Sequence, residues 1–540
     1  MSSEDIRVFD KLIHEMIGKY LELNPVMGTS LGLHEYDSLV VRIDKKWLEQ
    51  VEKLLDETLE ELTKINPENL DSIRRVDYTV LVNSLKLSKK EMREWPLIKM
   101  MPSGVFNFGE YFTPLLTRSY LPREHVLFSI ESRLVRAEDI LLGPFELLEE
   151  PYQLWLDLSL QVAQGNKALL QLIKAYGQRY GRDWSKEVED ALDKLEKAIE
   201  MIKKYREKAK PGFKPIGKEL FEERLKLSFI PESAEEIRQQ GYREAEKYRK
   251  MMMEVAKEIG ANSIEEALEK IKTKHPKSPE EVFEYYKKAI EMTRKFIVEK
   301  DIIEPPIGED IEIIETPPHL KPYIPFAAYI SPEIFHYSNT GLYLVTKPEN
   351  EEMLKHFNWY DVLNTTVHEA YPGHHIQLCY AKNAPTLLRK TYFQPTEFIE
   401  GWAHYTEWLM LEEGIDTSPE YKLKVLHDAL WRAVRVYVDV ELSTGMITFE
   451  EAVQKLVKDA YLPKDGAVGE ALRYTFYPGY QLCYNYGKRK ILELRERVKQ
   501  LLGEKYSHKL FHKLLLEEGN LPINILSEIV LEKAKKYASK

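Results

Sequence analysis

Apolar residues recur every three to four positions along most of the chain, which is the spacing that places them on one face of an α-helix. The repeat is clear near the start, at Ile6, Phe9, Leu12, Ile13 and Ile17. The same repeat predicts helices over residues 4–24, 45–64, 70–91, 122–148, 151–180, 184–207 and 233–299. Helices are expected again after residue 407 and through the tail at 506–540. The pattern therefore predicts a mainly α-helical protein.

The pattern changes between residues 301 and 348. Six prolines disfavour long helices here, because proline has no N–H to donate and its ring clashes with the preceding turn. These are Pro305, Pro306, Pro317, Pro318, Pro322 and Pro325. Short runs at 310–314, 326–330 and 341–346 have the composition of strands. We therefore expect a small β-sheet in this part of the chain.

The densest candidate chemistry follows this sheet. Three histidines and one glutamate occur within eight residues, at His368, Glu369, His374 and His375. Neutral imidazole nitrogens and carboxylate oxygens are the ligands of a catalytic zinc ion, which takes three protein ligands and keeps a further position open. Glu369 is placed to act as a general base that takes a proton from the attacking water and passes it to a leaving amine. The sequence thus predicts a hydrolytic site with one zinc ion per chain.

The spacing of the histidines leaves two ligand pairs open. In an unbroken helix of about 100° per residue, His375 lies about 20° from His368, whereas His374 lies about 120° away. That geometry favours His375. Pro372 cannot donate to the carbonyl of His368, so a kink or bulge is expected, and such a break could turn His374 to the metal instead. His375 is therefore the first prediction and His374 the alternative.

The motif and its surroundings resemble a known family. The string His368-Glu-Ala-Tyr-Pro-Gly-His-His-Ile-Gln377 resembles the signature H-E-x-x-P-G-H-H-x-Q of the family called domain of unknown function 885. Further family-like segments lie at 25–34, 398–407 and 473–487, so the resemblance covers nearly the whole chain. One segment departs from it: residues 438–443 read Val-Asp-Val-Glu-Leu-Ser, where relatives tend to have Val-Asp-Thr-Gly-Leu-His.

The family looks similar to helical zinc peptidases of the thimet-oligopeptidase-like and angiotensin-converting-enzyme-like groups. Those groups use a glutamate on a following helix as the third metal ligand, and the resemblance implies that Glu400, in its Phe-x-Glu context, has this role. They also use a tyrosine to stabilise the oxyanion, which implies Tyr480 or Tyr484. Three side chains fall at helical spacings from Glu400 and are candidates to orient the ligating histidines. They are Glu397, His404 and Glu407.

Arginines form a further group of candidates. Arg432 and Arg435 share one side of a predicted helix with Asp439, which is typical either of an intrahelical ion-pair row or of a clamp for a substrate carboxylate. Arg473 precedes the tyrosine-rich segment. Carboxypeptidase action would require one such cation near the metal, whereas an oligopeptidase would not need one.

The predicted sheet supplies a second candidate for substrate binding. An exposed edge strand can bind an extended peptide through backbone hydrogen bonds. The hypothesis is that 327–330 or 341–343 aligns the substrate, with Ala327, Tyr329 and Tyr343 in contact with it. A purely structural hairpin is the alternative.

Composition excludes some partners. The formal net charge is −11 and the pI is near 5.8, so the surface lacks the positive charge that nucleic-acid binding needs. Only two cysteines, Cys379 and Cys483, indicate a reducing compartment without a disulfide framework. Neither a leader pattern nor a run of 18 apolar residues is present. We therefore expect a cytoplasmic protein without nucleic-acid or membrane partners; the pattern makes no prediction of oligomeric state.

These observations combine into one prediction. A Pro/Gly-rich segment at 209–217 and the change at 301 divide the chain into an N-terminal helical region at 1–210, a helical segment at 211–300 and a catalytic region at 301–540, within one intertwined fold. Helices enclosing a deep cleft would admit short peptides and exclude folded proteins. The predicted function is a zinc metallopeptidase, including action as a carboxypeptidase. The alternatives are a zinc amidohydrolase or esterase acting on non-peptide small molecules, and a binding protein with a vestigial site.

Overall fold

The computed structural model describes residues 3–118, 120–317, 320–321, 324 and 326–539. The chain forms two compact units. Unit 1 comprises Met1–Lys214, Pro317–Tyr323 and Glu333–His336, and unit 2 comprises Pro215–Thr316, Ile324–Pro332 and Tyr337–Lys540. The predicted mainly α-helical fold with a small sheet ahead of the histidine motif is confirmed. The division at residues 210 and 300 and the deep cleft stay predictions.

The helices of unit 1 begin at polar capping residues where the sequence provides them. Asp44 accepts a hydrogen bond from the backbone N–H of Trp47, and Asp71 accepts one from Arg74, which satisfies free N–H groups of the first turns. Unit 1 contains α1 (Ser3–Leu23), α2 (Pro25–Leu31), α3 (Lys45–Thr63), α4 (Ser72–Glu94), α5 (Gly104–Thr117), α6 (Arg123–Leu134), α7 (Ala137–Leu142), α8 (Gln153–Arg179) and α9 (Ser185–Arg206). One large apolar cluster of this unit is formed by the buried faces of α5 to α9.

One prediction of local structure in unit 1 needed correction. The sequence pattern predicts no helix between residues 24 and 45, but α2 forms there, because Pro25 occupies the first helical turn, where its missing N–H costs nothing, and Gly32 ends the helix with φ 88°. The helices predicted over 233–299 are three in number, because Ser263 and Ser278 each cap a new helix after a turn.

Unit 2 holds the sheet and the histidine motif. Its first helices are α10 (Lys218–Leu227), α11 (Ala234–Glu258), α12 (Ile264–Ile271) and α13 (Pro279–Glu299). The strands follow as β1 (Glu309–Glu315), β2 (Ala327–Ile330) and β3 (Asn339–Val345). The remaining helices are α14 (Glu351–Leu354), α15 (Trp359–Glu369), α16 (His374–Ala381), α17 (Leu387–Thr391), α18 (Thr396–Glu413), α19 (Pro419–Ser443), α20 (Phe449–Ala460), α21 (Lys464–Phe476), α22 (Cys483–Leu502), α23 (His508–Leu516) and α24 (Ile523–Ser539).

The three strands form a mixed sheet in the order β1-β3-β2. The central strand β3 runs parallel to β1 and antiparallel to β2, with Tyr329 opposite Tyr343. Both backbone edges of β3 are therefore occupied, so residues 341–343 cannot bind a peptide by strand addition, and this part of the substrate-alignment hypothesis is corrected. The Tyr343 side chain is also completely buried and packs near the ring of Tyr286.

Two glycines let α18 and α22 cross at very short range. A Cβ added at Gly401 would lie 2.5 Å from the Cα of Gly487, and a Cβ added at Gly487 would lie 1.7 Å from the carbonyl oxygen of Glu397. No side chain larger than hydrogen fits at either position without moving a helix. This crossing brings the start of α22, with its tyrosines, next to the helix that carries Glu400.

No helix among the described residues combines the length and the apolar character needed to cross a bilayer.

Candidate metal centre

The histidine motif is two helices joined by a tight turn. Helix α15 ends at Glu369 and α16 begins at His374. A Cβ on Gly373 would lie 1.8 Å from the carbonyl oxygen of His368, so only glycine allows this close approach. The indole N–H of Trp402 on α18 donates to the carbonyl oxygen of Pro372 at 2.9 Å and fixes the turn to that helix.

The turn directs His374, rather than His375, towards His368. The two rings lie 4.8 Å apart between centroids and are nearly perpendicular. Their Nε2 atoms lie 3.5 Å (His368) and 3.2 Å (His374) from Oε2 of Glu400, and one ligand atom from each of the three residues lies within 4.8 Å of the others. Ligands about 2.1 Å from a tetrahedral zinc ion are separated by about 3.4 Å. The three side chains therefore form a candidate metal-binding group.

Two buried atoms in this group have no hydrogen-bond partner. They are Oε2 of Glu400 and Nδ1 of His374. A buried polar atom without a partner is costly, and a cation held between the two Nε2 atoms and the carboxylate would satisfy the glutamate oxygen. Two imidazoles and one carboxylate are also the donor set of many catalytic zinc sites. The residues present thus fit a transition-metal ion.

His375, the first prediction for the second ligand, lies in a different network. Its side chain is completely buried, its Nε2 pairs with Oε2 of Glu309 at 2.8 Å, and its Nδ1 lies 2.7 Å from the hydroxyl of Tyr329. Tyr371 donates to the same Glu309 oxygen. Both ring nitrogens of His375 are therefore used away from Glu400, and the geometry favours the alternative ligand, His374.

A buried carboxylate holds His368 in position. Nδ1 of His368 and Oε1 of Glu407 are 2.7 Å apart, so the ring presents Nε2 to the candidate metal position. Glu407 also accepts a hydrogen bond from Asn364 at 3.2 Å and lies 3.3 Å from Nδ1 of His404. Burial lowers the pKa of His404 to about 3, so this ring is neutral. Glu397, by contrast, accepts from a backbone N–H on α24.

The charges of the group depend strongly on one another. Burial lowers the pKa of His368, but the nearby carboxylates of Glu400 and Glu407 outweigh this effect and raise the pKa to about 10. Burial would raise the pKa of Glu400, but the nearby His374 and His368 hold it well below its usual value. For Glu369 burial dominates and raises the pKa above that of a free glutamate. Its side chain is only partly buried, so Glu369 combines access to solvent with an increased proton affinity.

Both predicted tyrosines lie at this centre. The hydroxyl of Tyr480 donates to Oε1 of Glu400 at 2.6 Å, and the ring of Tyr484 stacks over His368 with centroids 6.2 Å apart. The turn that carries Tyr480 is held by Asp439, whose carboxylate accepts three backbone N–H groups at 2.9 to 3.1 Å. Asp439 belongs to the segment that departs from the family pattern.

The three candidate arginines each pair with carboxylates of unit 2 itself. Arg432 lies 3.4 Å from Asp428 and 3.6 Å from Glu407, and Arg435 lies 2.8 Å from Glu470. Arg473 pairs with the same Glu470. The Arg432–Asp428 pair lies within α19, but Arg435 pairs with Glu470 on α21 and Asp439 accepts backbone N–H groups, so these ion pairs differ from the predicted intrahelical row with Asp439. All three arginines are paired with carboxylates, which does not favour a clamp for a substrate carboxylate.

The sheet approaches the motif through β2. The hydroxyl of Tyr329 reaches His375, and Ala327 and Tyr329 are both half-buried on β2, an outer strand of the sheet formed by the described residues. Sequence analysis missed Glu309 and Trp402. Trp402 lies two residues after Glu400 in a family-like segment, which could have indicated it, whereas nothing in the local sequence distinguishes Glu309.

Comparison with known proteins places the chain in a family. The family model described as "Bacterial protein of unknown function (DUF885)" matches residues 25–530, and the chain belongs to this family. No curated protein matches the chain.

Two solved structures share the fold. One, described as a candidate lipoprotein of unknown function from Shewanella oneidensis, has a TM-score of 0.77 and 21% sequence identity, and the match covers 97% of this chain and 99% of that one. The other, a candidate lipoprotein from Colwellia psychrerythraea, has a TM-score of 0.84 and 19% identity, with 98% and 99% covered.

Proposed function

We propose that this member of the DUF885 family is a zinc-dependent metallopeptidase that hydrolyses short peptides. The observation that carries the proposal is the convergence of His368, His374 and Glu400 on one point, with Glu369 directly after the first ligand in the chain. The resemblance of this motif to those of helical zinc peptidases supports the same reaction class.

The proposed chemistry divides between the metal and the chain. A zinc ion bound by these residues supplies Lewis-acid polarisation of a carbonyl group and lowers the pKa of water to about 7. Glu369 takes a proton from the attacking water and delivers it to the leaving amine, for which a raised pKa is suited because the carboxyl must both accept and donate. Glu407 keeps the His368 ring oriented throughout.

We assign different roles to the two tyrosines. Amide hydrolysis builds negative charge on the former carbonyl oxygen, and a donor aimed at it contributes about 3 kcal/mol. The Tyr480 hydroxyl is already used by Glu400, so we assign it to positioning that carboxylate. Tyr484 is partly accessible beside His368, and we assign it to the oxyanion.

The substrate proposal rests on β2 and on the paired arginines. The outer edge of β2 offers backbone groups to an extended peptide, and Tyr329 connects that strand to the motif. Arg432, Arg435 and Arg473 are used by carboxylates of the chain. We therefore propose cleavage of internal bonds in short peptides without recognition of a free C-terminal carboxylate at these arginines.

The location of the chain is part of the proposal. Cys379 and Cys483 are buried and unpaired, which supports a reducing compartment such as the cytoplasm. The two similar structures are described as candidate lipoproteins, which would place them at the cell envelope. Fractionation of source cells, followed by immunoblotting of the cytoplasmic and envelope fractions, tests the location directly.

The test of function is peptide hydrolysis by the zinc-loaded protein. We expect it to cleave members of a library of short peptides, including members with both termini blocked, when products are identified by mass spectrometry. Glu369→Gln should retain as much zinc as the wild type and lose about 100-fold or more in kcat, because general-base catalysis contributes about 10²–10⁴.

A matched control is Glu352→Gln. Glu352 is an exposed residue of the same unit, and its carboxylate pairs with Lys355. This variant should retain wild-type kcat. Unchanged kcat in Glu369→Gln would contradict the assigned base. If no peptide were cleaved while small amides or esters turned over, the reaction would be that of an amidohydrolase or esterase instead.

A further inference from the structure

Unit 1 contains a second convergence of histidine and carboxylate side chains. Oδ2 of Asp37 lies 2.9 Å from Nδ1 of His34 and 2.8 Å from Nε2 of His125. One ligand atom from each of these residues lies within 4.8 Å of the others. His34 begins a short 3-10 turn after α2, and His125 lies on α6, so the cluster joins parts of unit 1 that are about 90 residues apart.

The cluster has more polar atoms than it has hydrogen-bond partners. Asp37 is completely buried, and its second oxygen, Oδ1, has no hydrogen-bond partner; Nε2 of His34 is likewise buried without one. The Asp37 carboxylate interacts with two imidazoles and with the nearby charges of Arg118 and Arg133, but its Oδ1 has no hydrogen-bond partner, and a bound cation would satisfy that oxygen. Buried polar atoms of side chains with a purely structural role normally have a hydrogen-bond partner.

A second carboxylate, that of Glu333, lies near the other ring nitrogen of His34. Oε2 of Glu333 lies 3.8 Å from Nε2 of His34, on the side of the ring opposite to Asp37. Glu333 is itself held by Arg118, and the space beside it is kept by Gly32, where a Cβ would lie 2.9 Å from the Cβ of Glu333. The 3.8 Å separation is too long for a hydrogen bond, so Glu333 adds negative charge near His34 rather than orienting its ring.

We propose that His34, Asp37 and His125 form a second metal site that binds one divalent transition-metal ion. Two imidazoles and one carboxylate select zinc or a similar ion over Mg²⁺ and Ca²⁺, which prefer all-oxygen sites. The side chains of His34 and His125 are 29% and 33% exposed, so an ion and a water ligand can reach the position. Ligation replaces the two hydrogen bonds to Asp37 and links the turn after α2 to α6.

The test is a titration with Co²⁺, whose visible absorption reports coordination by nitrogen and oxygen ligands. It uses the full-length chain with the unit 2 centre disabled by His374→Ala and Glu400→Ala. We expect this double variant to bind one equivalent of Co²⁺ in the presence of excess Mg²⁺, with a d–d absorption band, and to gain thermal stability on binding. Adding His125→Ala should abolish the band and the gain in thermal stability.

The matched control adds His14→Ala to the double variant instead. His14 is an exposed histidine of the same unit whose Nδ1 bonds only the backbone oxygen of Asp10. This variant should bind Co²⁺ as the double variant does. The proposal is overturned if the folded double variant binds no Co²⁺, or if His125→Ala leaves the absorption unchanged. Every variant in this test lacks the side chains of His374 and Glu400. The outcome therefore does not depend on the proposed peptidase function.

Discussion

The ligand choice between two adjacent histidines depends on a single turn. His374 and His375 follow each other in sequence, yet one converges with Glu400 and the other pairs with Glu309. The sequence identified the motif and indicated that Pro372 would break the helix, but helical spacing favoured His375 over His374. The spacing was a poor guide to the ligand, because the direction of each ring is set by Gly373 against His368 and by partners that lie far away in the chain.

The two tyrosines give a prediction at the level of single residues. Tyr484→Phe should lower kcat about 100-fold with an unchanged zinc dissociation constant, because it removes a donor used only in the transition state. Tyr480→Phe should instead weaken zinc binding by about tenfold, because it frees the Glu400 carboxylate that the hydroxyl holds. Steady-state kinetics and competition with a chromogenic chelator measure both.

Tyr477→Phe is the control for this pair, since Tyr477 belongs to the same segment but is 54% exposed. It should leave both kcat and zinc affinity unchanged. Equal losses of kcat and affinity in Tyr480→Phe and Tyr484→Phe would contradict the separate roles.

Glu397 gives a prediction for stability against pH. Burial raises the pKa of Glu397 from its usual 4.5 to about 7, so the folded chain holds this proton more tightly than the unfolded chain. Its stabilising contribution is complete below pH 4.5 and is lost as the pH rises through 7. Glu397→Gln keeps the acceptor for the N–H of Ile523 without the charge. The difference in free energy of unfolding between the variant and the wild type should therefore shift by about 3 kcal/mol in favour of the variant when the pH is raised from 5 to 9.

Urea unfolding of both proteins at the two pH values measures this difference. The control is Glu258→Gln, an exposed position at the end of α11, for which the difference from wild type should be equal at both values. A pH-independent difference for Glu397→Gln would show that its carboxyl titrates normally.

At the level of elements, the crossing of α18 and α22 positions the centre. Gly487→Ala would place a methyl group 1.7 Å from the carbonyl oxygen of Glu397, so the helices must separate by more than 1 Å. We expect a loss of about 3 kcal/mol in free energy of unfolding, at the upper end for an overpacked contact, and weaker zinc binding because Glu400 and Tyr480 move apart. Chemical unfolding and chelator competition measure these two effects.

Gly469→Ala is the matched substitution, since Gly469 is exposed on α21 and a Cβ there would meet no heavy atom within 4 Å. It should stabilise the chain by up to about 1 kcal/mol through helix propensity. If Gly487→Ala also left the free energy of unfolding unchanged or increased it, the close crossing of α18 and α22 would be refuted.

Helices were the most predictable elements, because their apolar spacing is local. The helices predicted over 45–64 and 151–180 correspond to α3 and α8, and the predicted ends agree with the observed ends within two residues. Strand positions were also close, but the order β1-β3-β2 was not accessible, since pairing joins segments about 15 to 30 residues apart. The close contact of α18 with α22 depends on glycines in separate segments, which no local pattern connects.

At the scale of the whole molecule, the return of the chain to unit 1 could not be foreseen. Residues 333–336 lie with unit 1 because Phe335 donates to the carbonyl oxygen of Leu31 and Glu333 pairs with Arg118. Both partners are more than 200 positions away in sequence. The negative charge and the helical content, in contrast, follow from composition and periodicity and needed no structure.

The central claim is that His374, and not His375, completes the unit 2 centre with His368 and Glu400. The most direct measurement is zinc content by elemental mass spectrometry on zinc-loaded, gel-filtered wild type, His374→Gln, His375→Gln and Glu400→Ala. Our account predicts that His374→Gln and Glu400→Ala each lose one equivalent of zinc relative to wild type, whereas folded His375→Gln retains the wild-type content. Loss of one equivalent in His375→Gln with full retention in His374→Gln would contradict the account.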